Sequence, residues 1–167
     1  MSDAGLRAEF LRSARARFTE LKKLGDRALE RMDDVDLQYA PDPESNSPAV
    51  IVQHVAGNMI SRWTDFLTTD GEKPDRNRDG EFVPGNAGKD ELRARWEVGW
   101  KRVFDAVGAL TPADLDRSVL IRGESLSVMD AIHRQLTHYG QHVGQLVYIA
   151  KHRKWRTWES LTLPRKR

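Results

Sequence analysis

Residues 127–151 read SVMDAIHRQLTHYGQHVGQLVYIAK, and this stretch decides the fold class. Its apolar residues recur every three or four positions, which is the period of one face of an α-helix. The members of this stripe are Val128, Ile132, Leu136, Tyr139, Val143, Leu146 and Ala150. The pattern predicts a long amphipathic helix that buries this face against other helices.

Three other segments share this period and predict three more long helices. The first carries an apolar stripe from Phe10 to Met32, and the third spans about 90–110. The second begins at Ser47-Pro48, because a serine N-cap followed by a proline suits the first helical turn. It is expected to end before Asp70-Gly71.

Four long amphipathic helices in 167 residues predict an all-α four-helix bundle that forms a single domain. The polar stretch that runs to about Lys89 contains several prolines and glycines, so it is expected to be a long crossover loop between the second and third helices. Thr111-Pro112 should begin a short helical turn. Strand-like alternation is nearly absent, and residues 117–125 are expected to be extended or irregular.

The composition excludes several classes of site. The chain has no cysteine, which excludes disulfides, thiolate metal sites, iron–sulfur clusters and a cysteine nucleophile. No run approaches the roughly 18 apolar residues of a membrane span. The N-terminal residues have no apolar signal core, so a cytoplasmic location without membrane contact is expected.

The formal net charge is only +2, but the C-terminal extension from about residue 151 is basic. It contains Lys151, Arg153, Lys154, Arg156, Arg165, Lys166 and Arg167 against a single acidic residue, Glu159. No recognised nucleic-acid motif precedes it, so it is interpreted as a solvated end and not as a nucleic-acid site.

Three of the five histidines are candidate metal ligands. His138 and His142 are four residues apart, which places both on one face of the fourth helix, and His54 lies on the inward stripe of the second. Bundle cores commonly build metal sites from facing helices, and three neutral imidazoles would bind a divalent first-row metal with positions left open. The residues alone leave open that these are ordinary core or surface histidines. His133 and His152 are expected at the surface.

Other motifs point to structure more than to chemistry. Residues 75–80 match the opening of a calcium-binding EF-hand loop, but Asn86 stands where a bidentate glutamate is needed, so a polar loop is the preferred interpretation. Phosphate-binding glycine loops, nucleophile elbows and dinucleotide fingerprints are absent. Trp96 and Trp100 are one helical turn apart, which favours the core or a subunit contact over a stacking platform.

One histidine on the second helix and His-x-x-x-His on the fourth resemble the DinB-like superfamily of metal-binding four-helix bundles, and in particular an uncharacterised branch of it. The resemblance covers essentially the whole chain. The segments that carry it are NSPAVIVQH at 46–54, GNMISRWTDFLTTDGEKP at 57–74, RNRD at 76–79, HYGQHVGQ at 138–145, YIAK at 148–151 and WESLTLP at 158–164. Asp75 departs from the branch's pattern, where an aromatic residue is expected, and Gly80 and Pro84 alter the loop.

The resemblance implies an up-down-down-up helix order, a homodimer, and a divalent metal, zinc or nickel, on His54, His138 and His142. Characterised relatives include bacillithiol transferases and a mycothiol-dependent isomerase, in which the metal is thought to favour the thiolate of a small cosubstrate. The resemblance therefore implies a metal-dependent transferase that joins a low-molecular-weight thiol to an electrophile. A non-catalytic metal-binding or stress-associated dimer is the alternative. A metallohydrolase is less favoured, because the sequence identifies no general base and assigns no catalytic residue.

Overall fold

A computed structural model of the chain describes residues 2–164, which fold mainly as helices. The α-helices in this range are α1 (Asp3–Glu30), α2 (Asp34–Leu37), α3 (Pro48–Trp63), α4 (Lys89–Ala109) and α5 (Val128–Arg153). Two short 3-10 helices, Asp79–Phe82 and Pro112–Asp116, and an antiparallel hairpin of β1 (Ser118–Ile121) and β2 (Glu124–Ser127) complete the secondary structure. The expectation of a predominantly helical protein is confirmed.

Serine side chains cap two of the long helices, and the predicted N-cap, Ser47, is one of them. The side-chain oxygen of Ser47 accepts a hydrogen bond from the amide of Val50 at 3.3 Å, with Pro48 in the first turn. Ser127 accepts in the same way from the amide of Asp130 at 3.1 Å. Each cap satisfies one of the amide groups that the first helical turn leaves unpaired. These caps explain why the starts of α3 and α5 lie where the sequence predicts them.

One hydrophobic core joins the four long helices. Helix α1 packs against α4 and α5, and α3 packs against α4 and α5. The largest buried side chains at its centre are Phe18, Trp63, Trp96, Trp100 and Tyr139, several in edge-to-face contact. The core interpretation of Trp96 and Trp100 is therefore confirmed. The up-down-down-up order and the single domain stay predictions.

Helix α3 ends earlier than its apolar stripe suggests. Its last residue is Trp63, Thr64 has an extended backbone, and Asp65 has a φ of +48° in the left-handed region. Phe66 therefore lies in the following turn, from which its ring still reaches Trp63 at 4.7 Å between centroids. Hydrophobic burial continues past the helix end, and the stripe alone does not show where the backbone changes direction.

The segment expected to be extended or irregular forms the β-hairpin. Its turn residues Arg122 and Gly123 have φ values of +58° and +76°, and two positive φ values are what a type I′ turn requires. The Asp70 carboxylate accepts hydrogen bonds from both of these amides, at 2.9 and 2.7 Å. The amide of Gly71 donates to the carbonyl of Leu120 at 2.7 Å. The hairpin is thus fastened to the loop that follows α3.

The basic extension is partly docked and not wholly solvated. Arg153 pairs with the buried Asp36 at 2.8 Å, and Lys154 pairs with Asp33 at 2.8 Å and also with Asp36. Leu161 is buried in the core. The last three basic residues, 165–167, lie outside the described range. Within residues 2–164, no helix combines the length and apolarity needed to cross a bilayer.

Candidate metal centre

The structure brings the three predicted histidines together. His54 projects from α3, and His138 and His142 project from α5. The Nε2 of His138 lies 3.2 Å from the Nε2 of His54 and 3.1 Å from the Nε2 of His142. One ring nitrogen of each residue lies within 4.8 Å of the other two, which makes this the one cluster of metal-ligating side chains among the described residues.

Partners on the far side of two rings fix which nitrogens carry lone pairs at this cluster. The Nδ1 of His54 lies 2.9 Å from Glu81 Oε2, and the Nδ1 of His142 lies 2.8 Å from Gln145 Oε1. A carboxylate and an amide oxygen can only accept, so both Nδ1 atoms donate. In the neutral rings, both Nε2 atoms therefore present lone pairs toward His138. Metal-bound histidines usually have a second contact of this kind.

Glu81 is itself held by an arginine. Arg76 donates to both of its carboxylate oxygens, at 2.8 and 2.7 Å, and also to Glu72. Burial by itself raises the pKa of Glu81, but the hydrogen bonds from His54 and Arg76 outweigh it, so the pKa lies below its ordinary value. The carboxylate is thus ionised and oriented before any ligand binds.

A glycine makes room for this carboxylate. A Cβ at Gly57, one turn after His54 on α3, would collide with Glu81 Oε1 and its carboxyl carbon. With only hydrogen there, the 3-10 helix that carries Glu81 packs directly on α3.

The electrostatics keep the two imidazoles on α5 in the metal-binding form. Burial lowers the pKa of His138 to about 3, and its neighbours His142 and His54 act in the same direction. Burial also lowers the pKa of His142, against the opposing hydrogen bond to Gln145. Near neutral pH both rings are therefore uncharged and available as ligands.

The two separations that involve His138 Nε2 fit a tetrahedral cation. Zinc–imidazole bonds of about 2.0–2.1 Å at tetrahedral angles separate neighbouring nitrogens by about 3.3 Å. The observed separations of 3.2 and 3.1 Å are close to that value. The alternative, a purely hydrogen-bonded trio, fits less well, because His138 has only one Nε2 proton to share between two acceptors.

Comparison with known proteins identifies a family but does not identify an activity. Residues 5–167 match the family described as protein of unknown function DUF1572. The chain belongs to this family. No curated protein sequence matches it.

Several side chains of this DUF1572 centre escape the sequence patterns. They are Glu81 and Arg76, which lie in the loop between α3 and α4, and Gln145 on α5. Their contacts depend on how the loop folds and how α5 is rotated, so no residue spacing in the sequence identifies them. The RNRD segment at 76–79 and the EF-hand-like residues 75–80 mark this loop in the sequence, but neither selects these side chains. Asp65, Asp70, Asp130 and Glu124 do not join the histidine cluster.

The two other histidines and the EF-hand-like loop lie outside the cluster. His133 and His152 are exposed, as expected. The EF-hand-like residues 75–86 do not bring three metal-ligating side chains together in the described chain. Their 3-10 turn carries Glu81 to His54.

Proposed function

We propose that this protein is a metal-dependent transferase, in which His54, His138 and His142 hold a divalent cation, zinc or nickel. The reaction joins a low-molecular-weight thiol to a small electrophile. The proposal is carried by the two Nε2 lone pairs that Glu81 and Gln145 orient toward His138. A divalent cation held there would lower the pKa of a bound thiol, which favours the nucleophilic thiolate at neutral pH.

The resemblance supports thiol chemistry, and the composition requires that the sulfur of such a reaction be external. The chain contains no cysteine, so the thiol must enter as a cosubstrate. The histidine pattern resembles the DinB-like superfamily, whose characterised members include bacillithiol- and mycothiol-dependent enzymes. The same resemblance supports an up-down-down-up four-helix bundle and a homodimer. Sedimentation equilibrium tests the dimer, which should have twice the 19.1 kDa mass of one chain.

In this proposal, three further side chains hold the metal-binding histidines in position. Glu81 fixes the His54 ring, Arg76 fixes Glu81, and Gln145 fixes His142. Prior orientation of this kind means that little reorganisation is required when the ligand arrives.

The same contacts disfavour a metallohydrolase. Both oxygens of Glu81 are already engaged, one by His54 and both by Arg76, so this carboxylate is not placed to accept a proton from water. No other carboxylate of the described residues joins the cluster. A positioned general base, which water activation would use, is therefore lacking in the described part of the chain.

Elemental analysis of protein purified without chelators tests the metal. Wild type should contain about one zinc or nickel ion per chain, and His54→Ala and His138→Ala should lose it. His133→Ala is the matched control, because His133 is an exposed histidine on the same helix as His138 and outside the cluster. Unchanged metal content in both cluster variants would contradict the site.

Turnover then tests the reaction. A halogenated aromatic or an epoxide should be consumed only when both the metal and an added thiol are present. Removal of the metal by a chelator and its restoration should abolish and recover the rate. Metal-loaded protein that is inactive across a panel of thiols and electrophiles would favour the non-catalytic, metal-binding alternative.

A further inference from the structure

A small cavity beside the histidines has an unusual lining. Its volume is about 200 Å³, and it is bordered by His54 and His138. Five guanidinium side chains line it as well: Arg62, Arg76, Arg78, Arg122 and Arg134. No carboxylate residue is among those that line it. We call this space the arginine cavity.

Nearby carboxylates neutralise only part of this charge. Glu72 accepts from Arg62, Arg76 and Arg122, and Glu81 accepts from Arg76. These two carboxylates therefore serve three of the five cations.

The other two cations, Arg78 and Arg134, have little or no compensation. Among residues 2–164, the one ion-pair partner of Arg78 is the exposed Asp79, at 3.4 Å. Arg134 is exposed and has no ion pair among residues 2–164. A protein with a net charge of only +2 thus has a local excess of positive charge at the arginine cavity.

Two buried polar atoms of the lining have no partner in the described chain. Arg62 is 4% exposed, and its Nε–H donates to no acceptor. Gln135 is 3% exposed, and its Oε1 accepts from no donor. Buried polar groups are nearly always paired, so the two atoms indicate that the arginine cavity receives a polar ligand.

We propose that the arginine cavity binds the carboxylate of a small-molecule substrate, with the rest of that molecule lying against the three histidines. Guanidinium groups match the planar, two-oxygen geometry of a carboxylate, and a partly enclosed cavity strengthens the attraction. The volume admits a carboxylate and a few further heavy atoms. The site of the anion stands on its own, whereas the role of the molecule's other end rests on the proposed transferase function.

The hairpin gives this cavity part of its wall. Asp70 holds the turn amides of Arg122 and Gly123, and this contact places Arg122 beside Glu72 at 3.0 Å. Arg134 reaches the same space from α5, one turn before His138. Four separate parts of the chain, namely α3, the loop that follows it, the hairpin turn and α5, therefore contribute cations to one small volume.

Calorimetric titration of metal-free protein with succinate, at low and fixed ionic strength, tests the anion site. Wild type should bind succinate at least about tenfold more tightly than the neutral analogue succinamide. The double variant Arg78→Gln/Arg134→Gln should lose about tenfold in succinate affinity, since it removes the two least compensated cations. Arg93→Gln is the control, because Arg93 is exposed, carries the same charge and does not line the cavity.

The outcomes separate this inference from the transferase proposal. Equal affinity for succinate and succinamide, or an equal loss in Arg93→Gln and the double variant, would overturn the carboxylate site. Neither result depends on whether the histidines bind metal. A failed turnover assay, in turn, would leave the succinate result standing.

Thiol binding to cobalt-loaded protein tests which of the two substrates carries the carboxylate. Thiolate binding to cobalt gives a charge-transfer band, and 3-mercaptopropionate can be compared with the neutral 2-mercaptoethanol. A preference for the carboxylate-bearing thiol that disappears in Arg78→Gln/Arg134→Gln would place the carboxylate on the thiol cosubstrate. Equal binding of the two thiols, with succinate still bound, would place it on the electrophile.

Discussion

Tyr139 and His138 are adjacent on α5, yet they belong to two different kinds of polar network. The Tyr139 hydroxyl donates to Asn58 Oδ1 at 3.1 Å and accepts from Trp63 Nε1 at 3.0 Å, and the side chain is completely buried. This network is closed, because each of these contacts pairs a donor with an acceptor. His138 instead faces two Nε2 lone pairs with one proton to share, and we call this arrangement of three histidines the open network. A closed network stabilises a fold, whereas convergent lone pairs bind a cation.

The largest expected effect is on metal affinity and separates these two residues. His138→Ala should lower zinc affinity about 1,000-fold, because it removes one of three ligands. Tyr139→Phe should leave zinc affinity within about threefold of wild type, because the hydroxyl faces away into the closed network. Competition against a chromophoric chelator measures both values. Similar affinities for wild type and His138→Ala would remove the distinction between the two networks.

A second test weakens the open network by changing residues that support the histidines but do not themselves bind the metal. Glu81→Gln should lower zinc affinity about 10- to 100-fold, since it removes the negative charge that orients and polarises His54. Gly57→Ala should have a similar effect, because the new Cβ displaces the same carboxylate.

The control for the glycine substitution is Gly108→Ala in α4, where a Cβ meets nothing within 4 Å. The same chelator competition applies to all three variants. If Gly57→Ala and Gly108→Ala bind zinc equally well, the contact between Glu81 and His54 has no influence on the metal.

Tyr139→Phe should show its effect in stability. The substitution leaves Asn58 Oδ1 and Trp63 Nε1 buried without this partner, which should lower the free energy of unfolding by about 1–3 kcal/mol. Urea denaturation measures the change. Tyr148→Phe is the matched control, because Tyr148 is 72% exposed, and its effect should stay within about 0.5 kcal/mol. Equal effects of the two substitutions would show that the closed network adds no stability.

The smallest effect is a pH dependence that only the open network should have. Burial lowers the pKa of His138 from 6.5 to about 3, so the unfolded chain binds more protons than the native one between these values. Stability of the metal-free protein is therefore highest above pH 6.5 and falls as the pH falls, by about 1 kcal/mol per pH unit from this residue.

Urea denaturation at pH 7, 6 and 5 measures this slope. His138→Gln should flatten it, whereas His133→Gln, at an exposed position, should not. An unchanged slope in His138→Gln would show that the ring does not resist protonation in the folded state.

The sequence predicts the regular part of this molecule and misses the parts fixed by contacts distant along the chain. Helical period alone places His138 and His142 on one face, and the stripe of the second long helix places His54 inward. Glu81 could not be found in this way, because its position depends on a 3-10 turn packed against α3.

The sequence does not predict the hairpin, for a related reason. Its strands have four residues each, too few for alternation to be distinctive, and its turn is held by Asp70, some fifty residues earlier. The early end of α3 likewise depends on the left-handed backbone of Asp65, which an apolar stripe does not report.

Gly57 has a consequence for anyone who would transplant this centre into another helical scaffold. Copying three histidines at the right spacing would reproduce the ligands. The imidazole equivalent to His54 would then lack its carboxylate partner and would be free to rotate. The host helix would also need a glycine at the position equivalent to Gly57, where no Cβ occupies the space. A neighbouring loop would have to place a carboxylate in that space. A transplant of this centre therefore has to reproduce the space beside the glycine as well as the side chains of the site.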